Sequence, residues 1–257
     1  MTELFLIIGI AHLLGDFYFQ TSKMVNTRNK NIKIMLLHIF VYTGIFVLVV
    51  RLTKMTLKEA IIILGGIFIT HLLIDKVVDF YLKKIECEKL YRIVLDQAMH
   101  LSILVLFFHR TDIRYENMGH YRNVYLLVLI LLLILKPSAI LVDKVLMIVN
   151  KEEKDKAFEI DAGTMIGMLE RIIIVALCIF GGMSGIGFIL TAKTMVRYGE
   201  FEKEEKVSDI KVSNTKVANT KATSIKLTRT KYLLGTLAST GIALGCYGLW
   251  WFLHIGK

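Results

Sequence analysis

Three residue pairs in this chain share one spacing: His12/Asp16 in "HLLGD", His71/Asp75 in "HLLID" and Asp96/His100 in "DQAMH". Residues four apart on an α-helix lie on one face, about 6 Å apart along the axis. Each pair can therefore present an imidazole and a carboxylate to a common point. Mixed nitrogen and oxygen donors suit divalent cations, zinc foremost, with manganese or iron also accepted. A fourth imidazole, His38 in "MLLHIF", sits in a similar setting. The expected metal ligands are His12, Asp16, His38, His71, Asp75, Asp96 and His100. Asp16, Asp75 and Asp96 are also the candidates for general-base work. A lone histidine in an apolar helix ordinarily serves as a hydrogen-bonding strut; three His/Asp pairs exceed that role.

The elements that carry these residues are strongly apolar. The 257-residue chain is 55% hydrophobic with one proline, and its mean hydropathy is +0.59. The apolar residues form blocks long enough to cross a hydrocarbon core of ~30 Å as helix. Spans are expected at 3–20, 34–51, 58–80, 93–109, 123–148, 165–197 and 231–253. The period of two that marks spanning strands is missing. The fold class is therefore all-α, a polytopic transmembrane bundle of six or seven spans. The net charge of +10 fits basic loops facing anionic lipid headgroups, and no nucleic-acid partner is expected. Cys87, Cys178 and Cys246 are widely separated and form no CxxC pair, so they suggest neither a thiolate zinc site nor a disulfide framework. The first block lacks a basic start and a small-residue cleavage site, which marks it as a retained helix rather than a signal peptide.

Lys and Arg in the loops favour the first, third and fifth loops inside. With the N-terminus outside, His12/Asp16, His38, His71/Asp75 and Asp96/His100 all fall near the inner ends of spans one to four. An ionisable group near the bilayer centre costs about 2.5–3.5 kcal/mol on insertion scales, so such groups face the bundle and find partners. Spans one and two, and then three and four, repeat a common plan over residues 1–55 and 56–110. Two related hairpins would place a shared site on a pseudo-twofold axis, which suits two metal ions although one also satisfies the pattern.

The sixth block is too long for an ordinary span and contains Gly181, Gly182, Gly185 and Gly187. A helix to Gly181 followed by a returning half-helix keeps the next basic segment inside. Irregular backbone of this kind needs cover from protein or a watery cavity. Glu170 and Arg171, one turn into this block, form a second polar element. Lys136-Pro137 in span five marks a kink. The sequence thus divides into a bundle at 1–198, a linker at 199–230 and a last span within 231–257. The linker repeats "KVSNT", "KVANT", "KATSI" and "KLTRT". A period of five matches neither helix nor strand, so this stretch is expected to be disordered.

The motifs "AHLLGDFYFQT", "LLLH", "THLLIDKVVDF" and "LDQAMHL" resemble a bacterial membrane family catalogued as domain of unknown function 3307. The resemblance continues through "GTMIGMLERIIIVALCIFGGMSGIGFILTAKTMVRYGEF" and "KYLLGTLAST". It implies location in the bacterial inner membrane and assigns no activity. At the level of motifs, the His/Asp helices are similar to those of inner-membrane metal-dependent hydrolases.

The leading expectation is a membrane-embedded metal-dependent hydrolase acting on a lipid-like or membrane-proximal substrate. The cation would lower the pKa of a water, and the nucleophile formed would attack an ester, phosphoester or amide. The alternative is an ion or small-solute transporter or channel using the cluster as ion site or proton relay. A third reading is a non-catalytic membrane protein that binds a partner. A hydrolase needs an open coordination position and access from lipid, whereas a transporter needs a polar path beyond the cluster. Spans one to four offer almost no polar residue along such a path.

Overall fold

The computed structural model describes residues 2–28, 30–53, 55–84, 89–109, 121–150, 160–211 and 215–255. It is helical throughout, with no strand among the described residues. Among the described residues six helices are long and apolar enough to cross a membrane, and the chain is a multi-pass membrane protein. Their outward faces carry exposed large apolar residues such as Phe40, Leu48, Ile61, Leu106, Leu169 and Phe252, the surface a bilayer would cover.

The expected first span is not a uniform helix and is not among those six. α1 (Thr2–Leu13) gives way to a π-helical segment at Leu14–Tyr18, where the Phe19 N–H donates to Leu14 O at 2.8 Å. The short α2 (Ser22–Thr27) follows, with Thr21 as N-cap accepting from Met24 N. α3 (Ile32–Arg51), α4 (Leu57–Lys84) and α5 (Lys89–His109) complete the first half. α1 packs on α3, α3 on α4, α4 on α5 and α5 back on α1, so the four close around a common axis. One end of this ring is filled by Leu4, Ile8, Phe46, Ile63, Ile67, Leu104 and Phe108.

The second half begins with α6 (Arg122–Ile134) and α7 (Lys136–Asn150), which together make one span. The expected kink is present: the helix breaks at Leu135, whose ψ is −103°. Pro137 has no N–H to offer the carbonyl four residues back, and Ser138 Oγ donates to that carbonyl, Leu133 O, at 2.6 Å. Tyr18 donates to Leu132 O at 2.8 Å, tying the π-helical segment to the break.

The sixth block resolves into α8 (Ala162–Ile179) and α9 (Met183–Lys211). Between them Gly181 adopts φ 78°, a left-handed conformation that strains residues with a Cβ. The Gly182 N–H donates to Leu177 O (2.7 Å) and the Gly181 N–H to Cys178 O (3.4 Å), the bond pair of a Schellman C-cap. α9 then folds back beside α8. Lys193 Nζ meets Glu170 Oε2 at 2.5 Å, and these two residues lie about equally far along the chain from the turn. Leu177 sits 3.0 Å from where a Cβ on Gly182 would lie and 3.2 Å from one on Gly185, so those glycines allow the close return.

α10 (Thr215–Ile255) closes the second half against α6, α7 and α8. Leu6 joins Leu126, Ile130, Ile134, Ile174, Val175, Cys178 and Ala243 in a core that binds the halves together. The five-residue repeat, where no regular structure is expected, follows α9 to Lys211 and resumes as α10 from Thr215. Extending a helix from an already formed span needs no new nucleation. Cys178 and Cys246 are free thiols, and Cys87 lies outside the described residues.

Candidate metal centre

The four helices of the first half bring six of the seven expected ligands into overlapping groups. Asp16 comes from the π-helical segment, His38 from α3, His71 and Asp75 from α4, and Asp96 and His100 from α5. His38 Nε2 lies 3.1 Å from His71 Nε2. Asp16 Oδ1 lies 3.4 Å from the first and 3.6 Å from the second. Ligand atoms around a tetrahedral zinc, each ~2.0–2.1 Å from the ion, stand about 3.3 Å apart. The triangle of Asp16, His38 and His71 has that dimension, and all three residues are buried.

Two further triplets share its members. His71, Asp75 and His100 form one, and Asp16, Asp96 and His100 the other, each with ligand atoms within 4.8 Å of one another. Asp75 Oδ2 is 3.9 Å from His71 Nε2, and Asp75 Oδ1 is 3.9 Å from His100 Nε2. Asp96 Oδ1 is 3.7 Å from His100 Nδ1, which also lies 2.9 Å from the Asp96 carbonyl. Asp16 Oδ1 and His100 Nε2 are buried with no hydrogen-bond partner. Buried polar atoms normally find one, so both fit the role of ligand to a cation. His38 Nδ1 and His71 Nδ1 also lack partners. Packing orients these rings instead: His71 lies against Tyr42, with centroids 4.0 Å apart, and against His100 at 4.3 Å.

His12 departs from expectation, because it belongs to none of the three triplets. Its Nδ1 lies 2.9 Å from Tyr42 Oη and its Nε2 3.0 Å from Gln97 Oε1. The physical reason is the π-helical segment. Its wider turn shifts Asp16 around the axis relative to an unbroken α-helix, so the spacing of four no longer aims both side chains at one point. Gln97 bridges them, with Nε2 donating to Asp16 Oδ2 at 3.0 Å and to Asp96 Oδ2 at 3.2 Å. One donor sequence satisfies the network: Tyr42 O–H to His12 Nδ1, His12 Nε2–H to Gln97 Oε1, and the Gln97 amide to both carboxylates. His12 thus holds Asp16 in place at one remove.

Two participants went unrecognised in the sequence. Tyr42 follows His38 by four residues and so shares its face, a signal that was available. Arg28, counted only as a loop cation, reaches in from the end of α2. Its Nη1 is 3.4 Å from Asp75 Oδ2 and 3.4 Å from His38 Nε2. Gln20, with its amide turned to satisfy both neighbours, donates to the Asp16 carbonyl (2.8 Å) and accepts from Arg28 (3.0 Å). Gln20 and Gln97 thus both brace Asp16, one through its carbonyl and the other through its carboxylate.

The remaining polar candidates stand apart. Glu170 takes Lys193. Arg171 is buried, with Nε donating to Ile134 O at 2.7 Å and Nη1 to Ser239 Oγ at 2.8 Å. His109 is exposed at the end of α5, and His254 stacks on Trp250. His120 falls outside the described residues.

Comparison with known proteins yields one family match. No curated protein and no solved structure matches the chain. The matched segment contains all seven His/Asp candidates and stops short of Glu170 and Arg171. Residues 4–129 match the family described as protein of unknown function DUF3307.

Proposed function

We propose that the protein is a membrane-embedded, metal-dependent hydrolase acting on a lipid-like or membrane-proximal substrate. The observation that carries this reading is the buried triangle of Asp16 Oδ1, His38 Nε2 and His71 Nε2, with edges of 3.1, 3.4 and 3.6 Å. Asp75 and His100 extend the donor set. Zinc suits these ligands best, and manganese or iron would be accepted. A divalent ion held there supplies Lewis acidity and an acidified water.

The chain's own residues divide the remaining work. Asp96 is the most exposed of the three carboxylates, with 15% of its side chain accessible against 5% for Asp16 and 2% for Asp75. It is placed to exchange a proton with solvent and act as general base. The Gln97 amide orients it. Arg28, with 21% of its side chain accessible, stands between the cluster and the outside and would attract an anionic group.

The apolar plug supports chemistry at one face over transport. On each of the four helices the chain runs from the polar level into Leu4, Ile8, Phe46, Ile63, Ile67, Leu104 and Phe108, which leaves no polar route onward among the described residues. We place the protein in the bacterial inner membrane in contact with anionic headgroups, with the N-terminus outside, residues 199–230 cytoplasmic and the C-terminus outside. The reversal at Gly181 supports the return of the linker to the inner side.

The test uses purified wild type in nanodiscs with fluorogenic carboxylic-ester and phosphodiester lipid analogues. Hydrolysis is expected to fall to background on chelation and to return with zinc. Asp96→Asn should lower kcat by about 10²–10⁴-fold while retaining metal. Absence of chelator-sensitive hydrolysis, together with metal-dependent cation flux in proteoliposomes, would overturn the hydrolase in favour of the transporter.

A further inference from the structure

A cavity of about 790 Å³ lies among α7, α8, α9 and α10 and involves none of the His/Asp cluster. Arg171 stands in its wall at the middle of α8 and is only 2% exposed. Nε and Nη1 of its guanidinium are occupied by Ile134 O and Ser239 Oγ. Nη2 is buried with no hydrogen-bond partner. Guanidinium remains protonated in proteins, and a buried cation without a counter-ion is strongly unfavourable.

The acids that line this cavity are already engaged. Glu170 takes Lys193 at 2.5 Å. Asp161 caps α8 by accepting from Thr164 N at 2.8 Å, and hydrogen bonds from the Thr164 hydroxyl first and its N–H second hold the carboxyl below the usual carboxylate range. Asp143 lies 3.8 Å from Lys144. Among the described residues no carboxylate lies within ion-pair distance of Arg171 or of Lys231, a second cation in the wall. Thr236 Oγ1, also in the wall, is buried and unpartnered. The cavity wall therefore carries an idle guanidinium nitrogen and an idle hydroxyl, with Lys231 as a further cation, contributed by α8 and α10. Val142, Leu146 and Ile166 supply apolar wall beside them.

We propose that this cavity binds a phosphate group, carried on a phospholipid headgroup or free in solution, with Arg171, Lys231 and Thr236 as its donors. A tetrahedral oxyanion accepts hydrogen bonds from several directions at once, and charge-assisted bonds from guanidinium to phosphate are among the strongest available. The apolar wall would take the first acyl carbons of a lipid.

The experiment is calorimetric titration of the full-length protein in a maltoside detergent with two probes, inorganic phosphate and short-chain phosphatidylglycerol. At least one probe is expected to bind saturably to the wild type, and Arg171→Gln should weaken that binding about tenfold or more. Saturation by the lipid alone identifies a headgroup site, and saturation by inorganic phosphate a free-anion site. Arg171 also bridges α6 and α10, so Thr236→Val, which keeps shape and removes only the hydroxyl, is measured beside it and should weaken binding severalfold. The proposal is overturned if neither probe binds to the wild type, or if the variants that fold bind as tightly as the wild type does.

Discussion

Purified Asp16→Asn protein is expected to bind zinc about 100-fold or more weakly than the wild type while keeping its helical content. Loss of a partner behind a metal ligand already costs 10–100-fold in affinity, and Asp16 stands in front. Its Oδ1 faces His38 and His71 at 3.4 and 3.6 Å, and it belongs to two of the three ligand triplets. The amide preserves volume and can still accept from Gln97, so packing survives while the anionic donor is lost. Equilibrium dialysis with zinc gives the affinity, and circular dichroism reports the fold. Unchanged affinity would remove Asp16 from the site.

Gly15→Ala should be nearly as damaging although it adds one methyl group. A Cβ at Gly15 would lie 2.5 Å from Tyr42 Cδ2 and 3.2 Å from Cε2. The ring cannot swing aside freely, because its hydroxyl is bonded to His12 and its faces pack on His71 and Phe46. Overpacking of this kind costs about 1–3 kcal/mol. The displaced ring would push on His12 and His71, so zinc affinity should fall along with the unfolding midpoint. Gly44→Ala is the control. Nothing lies within 4 Å of a Cβ there, and the change should be neutral or slightly stabilising. Equal behaviour of the two variants would mean that the π-helical segment does not need glycine against Tyr42.

Much of this architecture was legible in the sequence, for identifiable reasons. Apolar blocks of spanning length gave the helices, and the shared depth of His12, His38, His71 and His100 predicted that four helices would meet around polar side chains. The glycines after Ile179 predicted the reversal that Gly181 makes. The π-helical segment was not legible. A wide turn leaves no mark on residue spacing, so His12 and Asp16 read as a simple pair, and the equivalence of "HLLGD" with "HLLID" seemed closer than it is. Arg28 was hidden for a different reason: a basic residue in a short loop looks like any other topology signal until α2 folds it back over Asp75. Arg171 was visible as polar, but its partners on α6 and α10 are remote in sequence and no local pattern announces them.

The most direct test of the central claim is elemental analysis of the wild type beside the Asp16→Ala/Asp75→Ala double variant, both purified without added metal. The account predicts a divalent transition metal in the wild type and its loss from the folded double variant. A metal-free wild type, or equal metal in both proteins, would contradict it.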